Sequence, residues 1–139
     1  MFWSSTKKKN MSKNRKYTIT LTEHQMMLIA DCVEDIHRFL AGQTELANAT
    51  LQLNFTDEVR DSLKRLQSLV TPELPMGESY AWNGATCPNE HQRKMIAETY
   101  YLYCEMLHQY YIANGLSNVY STETMRCEES EEPIKITWE

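Results

Sequence analysis

Between Pro88 and Gly115 the chain runs for 26 residues with neither proline nor glycine. Those two residues interrupt helices more readily than any others, so this stretch can form one continuous rod. Asn89 supplies an N-cap and Asn114-Gly115 a stop, which predicts a helix over about 89–113. The whole chain of 139 residues holds only 4 Gly and 4 Pro. Few breakers favour a small number of long elements over many short strands joined by turns.

Two more helices are legible. Thr22 and Gln25 form a capping box, with Leu21 and Met26 placed as a hydrophobic staple. Ile29, Val33, Ile36 and Leu40 then recur at helical spacing as a predicted buried stripe, and Gly42 supplies the stop. A further helix is predicted over about 56–70. Asp57 and Glu58 suit its N-terminal dipole; Val59, Leu63, Leu66 and Val70 are its expected buried stripe, and Arg60, Lys64 and Arg65 its wet face. The first half of "TELANATLQL" (44–53) reads as a short fourth helix. "KYTITL" (16–21) and "IKITWE" (134–139) alternate apolar and polar residues, the pattern of strands. The expected architecture is mainly α: a three- to four-helix bundle with a small two-stranded β element from the chain termini. The loop 71–88 carries Pro72, Pro75, Gly77, Gly84 and Pro88. Within it "YAWNG" (80–84) sets aromatics beside an Asn-Gly turn signal.

Charge is unevenly spread. Residues 1–16 hold six basic side chains and no acids, while residues 17–139 hold 8 basic against 19 acidic, a net of −11. The first segment reads as a basic, disordered leader and 17–139 as one helical domain; "MSKNRKYTITL", starting at Met11, is an alternative beginning. An acidic body repels phosphate backbones, so nucleic-acid binding is disfavoured except through the leader. No signal peptide is seen, and no apolar run reaches membrane-spanning length. The cysteines at 32, 87, 104 and 127 form no C-x-x-C pair, which suits a reducing, cytoplasmic setting.

Two Glu-x-x-His pairs, Glu34 with His37 and Glu105 with His108, resemble half the ligand set of a di-iron helical bundle. With Ile29 as zero on a helical wheel, His37 falls at the flank and Glu34 away from the expected core. On the 89–113 helix, Met95, Ile96, Thr99, Leu102, Tyr103, Met106, Leu107 and Tyr110 form the expected inner face. Glu98, Tyr101, Glu105 and His108 lie opposite, turned outward. Inward carboxylates are what a bundle metal needs, so no metal and no cofactor is expected. Cys87, His91, Cys104 and His108 also read as Cys-x3-His twice. Yet His91 and Cys104 lie about 20 Å apart on one helix at 1.5 Å per residue, too far to share one zinc ion. No nucleophile elbow or phosphate loop occurs, and Cys104 with His108 has no evident orienting partner.

The stripe Glu98, Tyr101, Glu105, His108 reads either as a solvated face or as a contact surface. "YYLYCEMLHQYY" (100–111) reads as core and core edge. Its buried hydroxyls need partners, and Arg38, Glu34, His37 and Asn83 are candidates. Trp82 either plugs the bundle end or stacks on a ligand. The candidate ligand- or partner-binding residues are therefore Glu34, His37, Arg38, Trp82, Asn83, Glu98, Tyr101, Glu105 and His108.

Three stretches, "YTITLTEHQMMLIADCVEDIHRFLAGQTEL", "YAWNGATCPNEHQRKMIAETYYLYCEMLHQYY" and "NVYSTETMRC", resemble a group of small uncharacterised proteins of tailed phages and prophages of gut bacteria. The likeness implies a phage-type accessory role in the bacterial cytoplasm and carries no catalytic or binding residue across. The expected function is non-enzymatic: binding a protein partner, in a way that can inhibit a host process, or sequestering a small molecule. Alternatives are a metal-dependent enzyme using the Glu-x-x-His pairs and a structural or morphogenetic phage component. A homo-oligomer is allowed.

Overall fold

A computed structural model describes residues 15–44, 56–75, 77–122 and 133–139. They form three α-helices, α1 (Glu23–Leu40), α2 (Asp57–Val70) and α3 (Glu90–Ala113), followed by a 3-10 turn over Val119–Ser121. Each helix starts where a capping side chain stands. Thr22 accepts from Gln25 N in a full capping box, Thr56 accepts from Val59 N, and Asn89 from Gln92 N. α1 and α3 end alike. Gly42 (φ 99°) and Gly115 (φ 63°) adopt the left-handed conformation. Gln43 N bonds Arg38 O and Leu116 N bonds Tyr111 O, which closes a Schellman motif at each end.

α1 and α3 are antiparallel and make the main helix contact. Asn114 Nδ2 donates to Glu23 Oε1 at one end (2.7 Å), and Gln92 Nε2 donates to Leu40 O at the other (2.8 Å). One core cluster sets Ala30 against Tyr100, Tyr103, Cys104 and Leu107; a second joins Ala41, Tyr80, Cys87 and Ile96. Ala30 and Ala41 are fully buried. Their small side chains let the two backbones approach closely and so choose the face of α1 that turns inward.

That face is the expected one only in part: Val33 and Leu40 pack against the core clusters, but Ile29 and Ile36 do not. The buried positions of α1 are Ala30, Glu34, Asp35 and His37, while Ile36 is 52% and Ile29 37% exposed. The inward direction lies about 110° round the helix from Ile29, at 100° per residue. The stripe of α2 is likewise seen in part, with Val59 and Leu63 half-buried. Leu66 and Val70 are about half exposed, and Gln67 is its one buried residue.

α3 is enclosed on more than one side. Tyr101, Glu105 and His108, expected outward, are buried, and only Glu98 of that stripe is exposed. The residues covering them come from the C-terminal part of the chain. Tyr120 O lies 2.6 Å from His108 Nδ1, Ile134 N donates to Tyr101 OH, and Trp138 Nε1 donates to Gln109 Oε1. The alternating residues of "IKITWE" thus rest along α3, with Ile134 and Ile136 half-buried.

No strand forms among the described residues, so the two-stranded element is not seen. A lone pair of short strands is marginal in water, and the apolar side of 134–138 gains more by lying on the helix. The predicted fourth helix at 44–53 falls almost wholly outside the described residues.

The loop before α3 is tied tightly to it. Gly84 has φ 77°, and a Cβ there would stand 2.5 Å from Arg93 O; at Gly115 a Cβ would meet nothing within 4 Å. Both positions disfavour L side chains by about 1–2 kcal/mol, but only Gly84 adds a clash with backbone. Urea melts should therefore show Gly84→Ala at least ~1 kcal/mol more destabilising than Gly115→Ala. Equal losses would mean that the loop does not press on α3.

Candidate functional site

The seam between α1 and α3 is unusually polar. Successive turns of α1 place Glu34, His37 and Arg38 there because three- and four-residue spacings share a helix face. Arg38 donates through Nε (3.1 Å) and Nη2 (2.8 Å) to Glu34 Oε2, and through Nη1 (2.9 Å) to Gln43 Oε1. α3 contributes a wall of rings. His37 lies 5.2 Å from the Tyr100 centroid and 5.4 Å from that of Tyr103, and Tyr111 stacks on Tyr120 at 6.1 Å. Trp82 packs tilted on Tyr100 at 4.8 Å and keeps about half of its surface exposed.

Burial sets the protonation states. His37 Nε2 lies 2.8 Å from Trp82 O. A carbonyl only accepts, so the proton sits on Nε2 and Nδ1 carries the lone pair. Nδ1 is buried without a hydrogen-bond partner. Burial, and then the neighbouring Arg38 cation, lower the His37 pKa to about 4. Burial is also the main cause that raises Tyr103 and pushes Tyr120 up to about 12, with nearby charge, Glu34 included, adding to both. Asp31 is raised by burial and by repulsion from Glu34 and Asp35. The seam is thus a neutral imidazole and neutral phenols around one ion pair.

The structure brings some of the candidate residues together. Glu34, His37, Arg38 and Trp82 form one connected group at the C-terminal half of α1. Asn83 is exposed and works locally, its Oδ1 accepting from Ala85 N within the 81–84 turn. Tyr101, Glu105 and His108 lie under the 133–139 segment and the 3-10 turn, and Glu98 faces solvent alone.

The outward orientation read for Glu34, Glu105 and His108 is corrected: all three are buried. One polar atom of each is nevertheless engaged by a neighbour. Arg38 holds Glu34, Gln109 Nε2 donates to Glu105 Oε1, and backbone carbonyls take one nitrogen of each imidazole. Among the described residues no three His, Cys, Asp or Glu side chains gather in a metal-holding group. α3 is unbroken from Glu90 to Ala113, which also keeps His91 and Cys104 apart.

Two features escaped the sequence reading. The first is the outer face of α1. Beyond Gln25 every exposed position is apolar: Leu28, Ile29, Cys32 and Ile36. The second is a cavity of about 330 Å³ beside Arg38, lined by Lys64, Gln67, Ser68 and Thr71 from α2 and the residue after it, and by Gln43 and Glu78 from the loops. The pair Ala30 and Ala41, eleven residues apart, was the available signal for the first. The second joins residues distant in sequence and had none.

No family model matches the chain, and no curated protein or solved structure is similar to it. No helix among the described residues is long and apolar enough to cross a membrane.

The lowered pKa of His37 has a signed consequence. Unfolded, the imidazole takes a proton below its ordinary value of 6.5; folded, it resists protonation until about 4. The unfolded state therefore binds more protons between pH 6.5 and 4, and stability falls as pH falls through that window. The loss is at most about 3 kcal/mol, since each pKa unit is worth about 1.4 kcal/mol. Chemical denaturation at pH 7 and pH 4.5 should show a steeper decline in the wild type than in His37→Gln. Parallel profiles would show that His37 titrates normally in the folded chain.

Proposed function

We propose that the protein acts by binding another protein through the outer face of α1. The observation that carries this is the inverted helix: acid, imidazole and alanine inside, and Leu28, Ile29, Cys32 and Ile36 outside. A surface helix normally shows the reverse, and a contiguous apolar face marks a contact surface. Exposure of 51% at Leu28 and 52% at Ile36 leaves most of that face open over about two turns.

Charge selects the partner. Residues 17–139 carry a net −11, so a second copy approaches against like charge. A partner with an apolar groove rimmed by lysine and arginine approaches with attraction. An α-helix laid into such a groove is a common mode of recognition. The His37 bond to the Trp82 carbonyl and the packing of Ala30 on the rings of α3 favour the orientation of α1 that keeps the apolar side outward. A phage or prophage accessory role in the bacterial cytoplasm belongs to the same proposal and rests on the resemblance alone.

The test uses a double variant, Leu28→Glu with Ile36→Glu, and an amphipathic Leu/Lys helical peptide as the probe. Because the face is open in the free protein, the variant should melt within a few degrees of the wild type. The wild type should bind the Leu/Lys peptide and not its Leu/Glu counterpart. The double variant should bind the first at least tenfold more weakly, about 1.4 kcal/mol. A large fall in melting temperature, or a wild-type dimer that the substitutions dissociate, would overturn the proposal.

A further inference from the structure

Two segments near the ends of the chain alternate in sequence and carry open backbone. The first, "KYTITL" (16–21), leads into α1 and belongs to no helix or turn. All six residues are exposed, Tyr17 at 81% and Ile19 at 71%. In an extended chain Tyr17, Ile19 and Leu21 fall on one side, since successive side chains alternate. Among the described residues, the backbone N–H and C=O groups of 16–21 make no hydrogen bond.

The second segment, 134–138, lies along α3. Ile134 N donates to Tyr101 OH at one end and Trp138 Nε1 to Gln109 Oε1 at the other. Between those anchors the backbone of Lys135, Ile136 and Thr137 makes no hydrogen bond among the described residues either. This is an extended chain backed by a helix, with an edge that a further strand can pair with. A lone pair of short strands is marginal in water, but a pair that packs against a helix is not.

The two segments match in pattern and in charge. Set in step, Tyr17, Ile19 and Leu21 take the same side as Ile134, Ile136 and Trp138, and Thr18 and Thr20 take the side of Lys135 and Thr137. Antiparallel pairing sets Lys16 against Glu139. Parallel pairing sets Arg15 against Glu132 and runs the basic leader beside 128–132, which holds four glutamates. Opposite charges meet in either direction.

Within one chain the two segments form no strand pair. We propose that they pair between two copies, "KYTITL" of one adding as a strand along 134–138 of the other. Each copy offers one strand and one edge, so a symmetric dimer satisfies both at once. The interface shares no residue with the outer face of α1. Like charge opposes a second copy at that face, whereas here the six cations of one leader approach the acidic body of the other copy.

Sedimentation equilibrium of the full chain tests this. The wild type should dimerise, and more weakly as salt is raised. Ile19→Pro removes a backbone donor from the middle of the strand. Because that residue is open to solvent, the helical circular dichroism should be unchanged while the association constant falls at least tenfold. A peptide of residues 13–22 gives a reading that needs no variant chain. In excess it should split the wild-type dimer, and the same peptide carrying Ile19→Pro should not.

A wild type that stays monomeric at every attainable concentration would overturn the inference. So would a dimer that withstands both Ile19→Pro and the peptide. The Leu28→Glu, Ile36→Glu chain should dimerise like the wild type, and its loss of the dimer would place the contact on α1 instead. Binding of the Leu/Lys peptide tests the outer face of α1 separately, so either reading can fail while the other stands.

Discussion

The inward side of α1 is short of apolar area, and the fold depends on how that shortage is met. Ala30 and Ala41 give close approach but little buried surface; Glu34, Asp35 and His37 give polar groups that must be satisfied. An unpaired carboxylate in such a place is expensive, and removing one partner of a buried pair costs more than the pair itself contributes. Arg38 meets the first need by giving Glu34 two hydrogen bonds to one oxygen. A carbonyl from the Trp82 loop meets the second by taking the His37 Nε2 proton. The Arg38 pair lies within α1 and travels with it, whereas the Trp82 carbonyl stands on the loop that leads into α3, so the His37 bond specifies one register for α1. Apolar packing alone would tolerate sliding. The ring wall of α3 fits this role, since a tyrosine is large enough to fill the seam and keeps its proton when buried.

α3 then becomes the centre of the molecule. Its apolar and aromatic residues run round most of its circumference, with Glu98 and Glu105 the only carboxylates between Met95 and Ala113. A helix of that kind needs cover on several sides. α1 covers one side, and the 3-10 turn with the 133–139 segment covers another. The extended segment from Ile134 to Trp138 follows α3 from Tyr101 to Gln109. Four residues of extended chain and eight of helix both span about 12–13 Å, so the contacts stay in step. α2 stands apart, with one buried residue and an apolar side half open, and the cavity is the space left between it and the α1 end. Elements with few buried contacts open at lower free energy than the core, so α2 is the most adaptable of the three helices.

Local signals were legible and orientation was not. Thr22, Thr56 and Asn89 start the three helices and Gly42 and Gly115 end two of them, because capping is written in one or two side chains. On α1 half of the predicted stripe faces outward; on α3 the predicted inner face is enclosed, but so is most of the stripe opposite it. Counting Ile29, Val33, Ile36 and Leu40 as a core stripe assumes that the apolar residues of a helix face its neighbour. Here the neighbour offers tyrosine rings and a loop carbonyl, which suit Glu34 and His37, and the alanines decide the approach. On α3, the stripe Tyr101, Glu105, His108 was placed outward because it contains charge, although it carries one carboxylate in two turns. Too few ionised groups to face water was the clue. "IKITWE" does alternate in burial, as half-buried Ile134 and Ile136 show, but it lies on α3 and not in a strand, since alternation shows that one side is covered and not by what.

The outer face of α1 stays outward because of contacts the helix cannot carry with it. The Glu34–Arg38 pair lies within α1 and would turn as the helix turned. Three other bonds cross to different elements: His37 Nε2 to the Trp82 carbonyl, Gln92 Nε2 to the Leu40 carbonyl and Asn114 Nδ2 to Glu23. Turning Leu28 and Ile36 inward would draw His37 from its carbonyl, at about 1–3 kcal/mol for the polar groups left without a partner. It would also lift Ala30 from the rings of α3, where its small side chain fits. Burying Leu28 and Ile36 in its place would have to make up both losses against a wall already filled by tyrosines. The arrangement therefore trades apolar area on the inside for defined partners, and the area forgone remains on the surface, available to another protein.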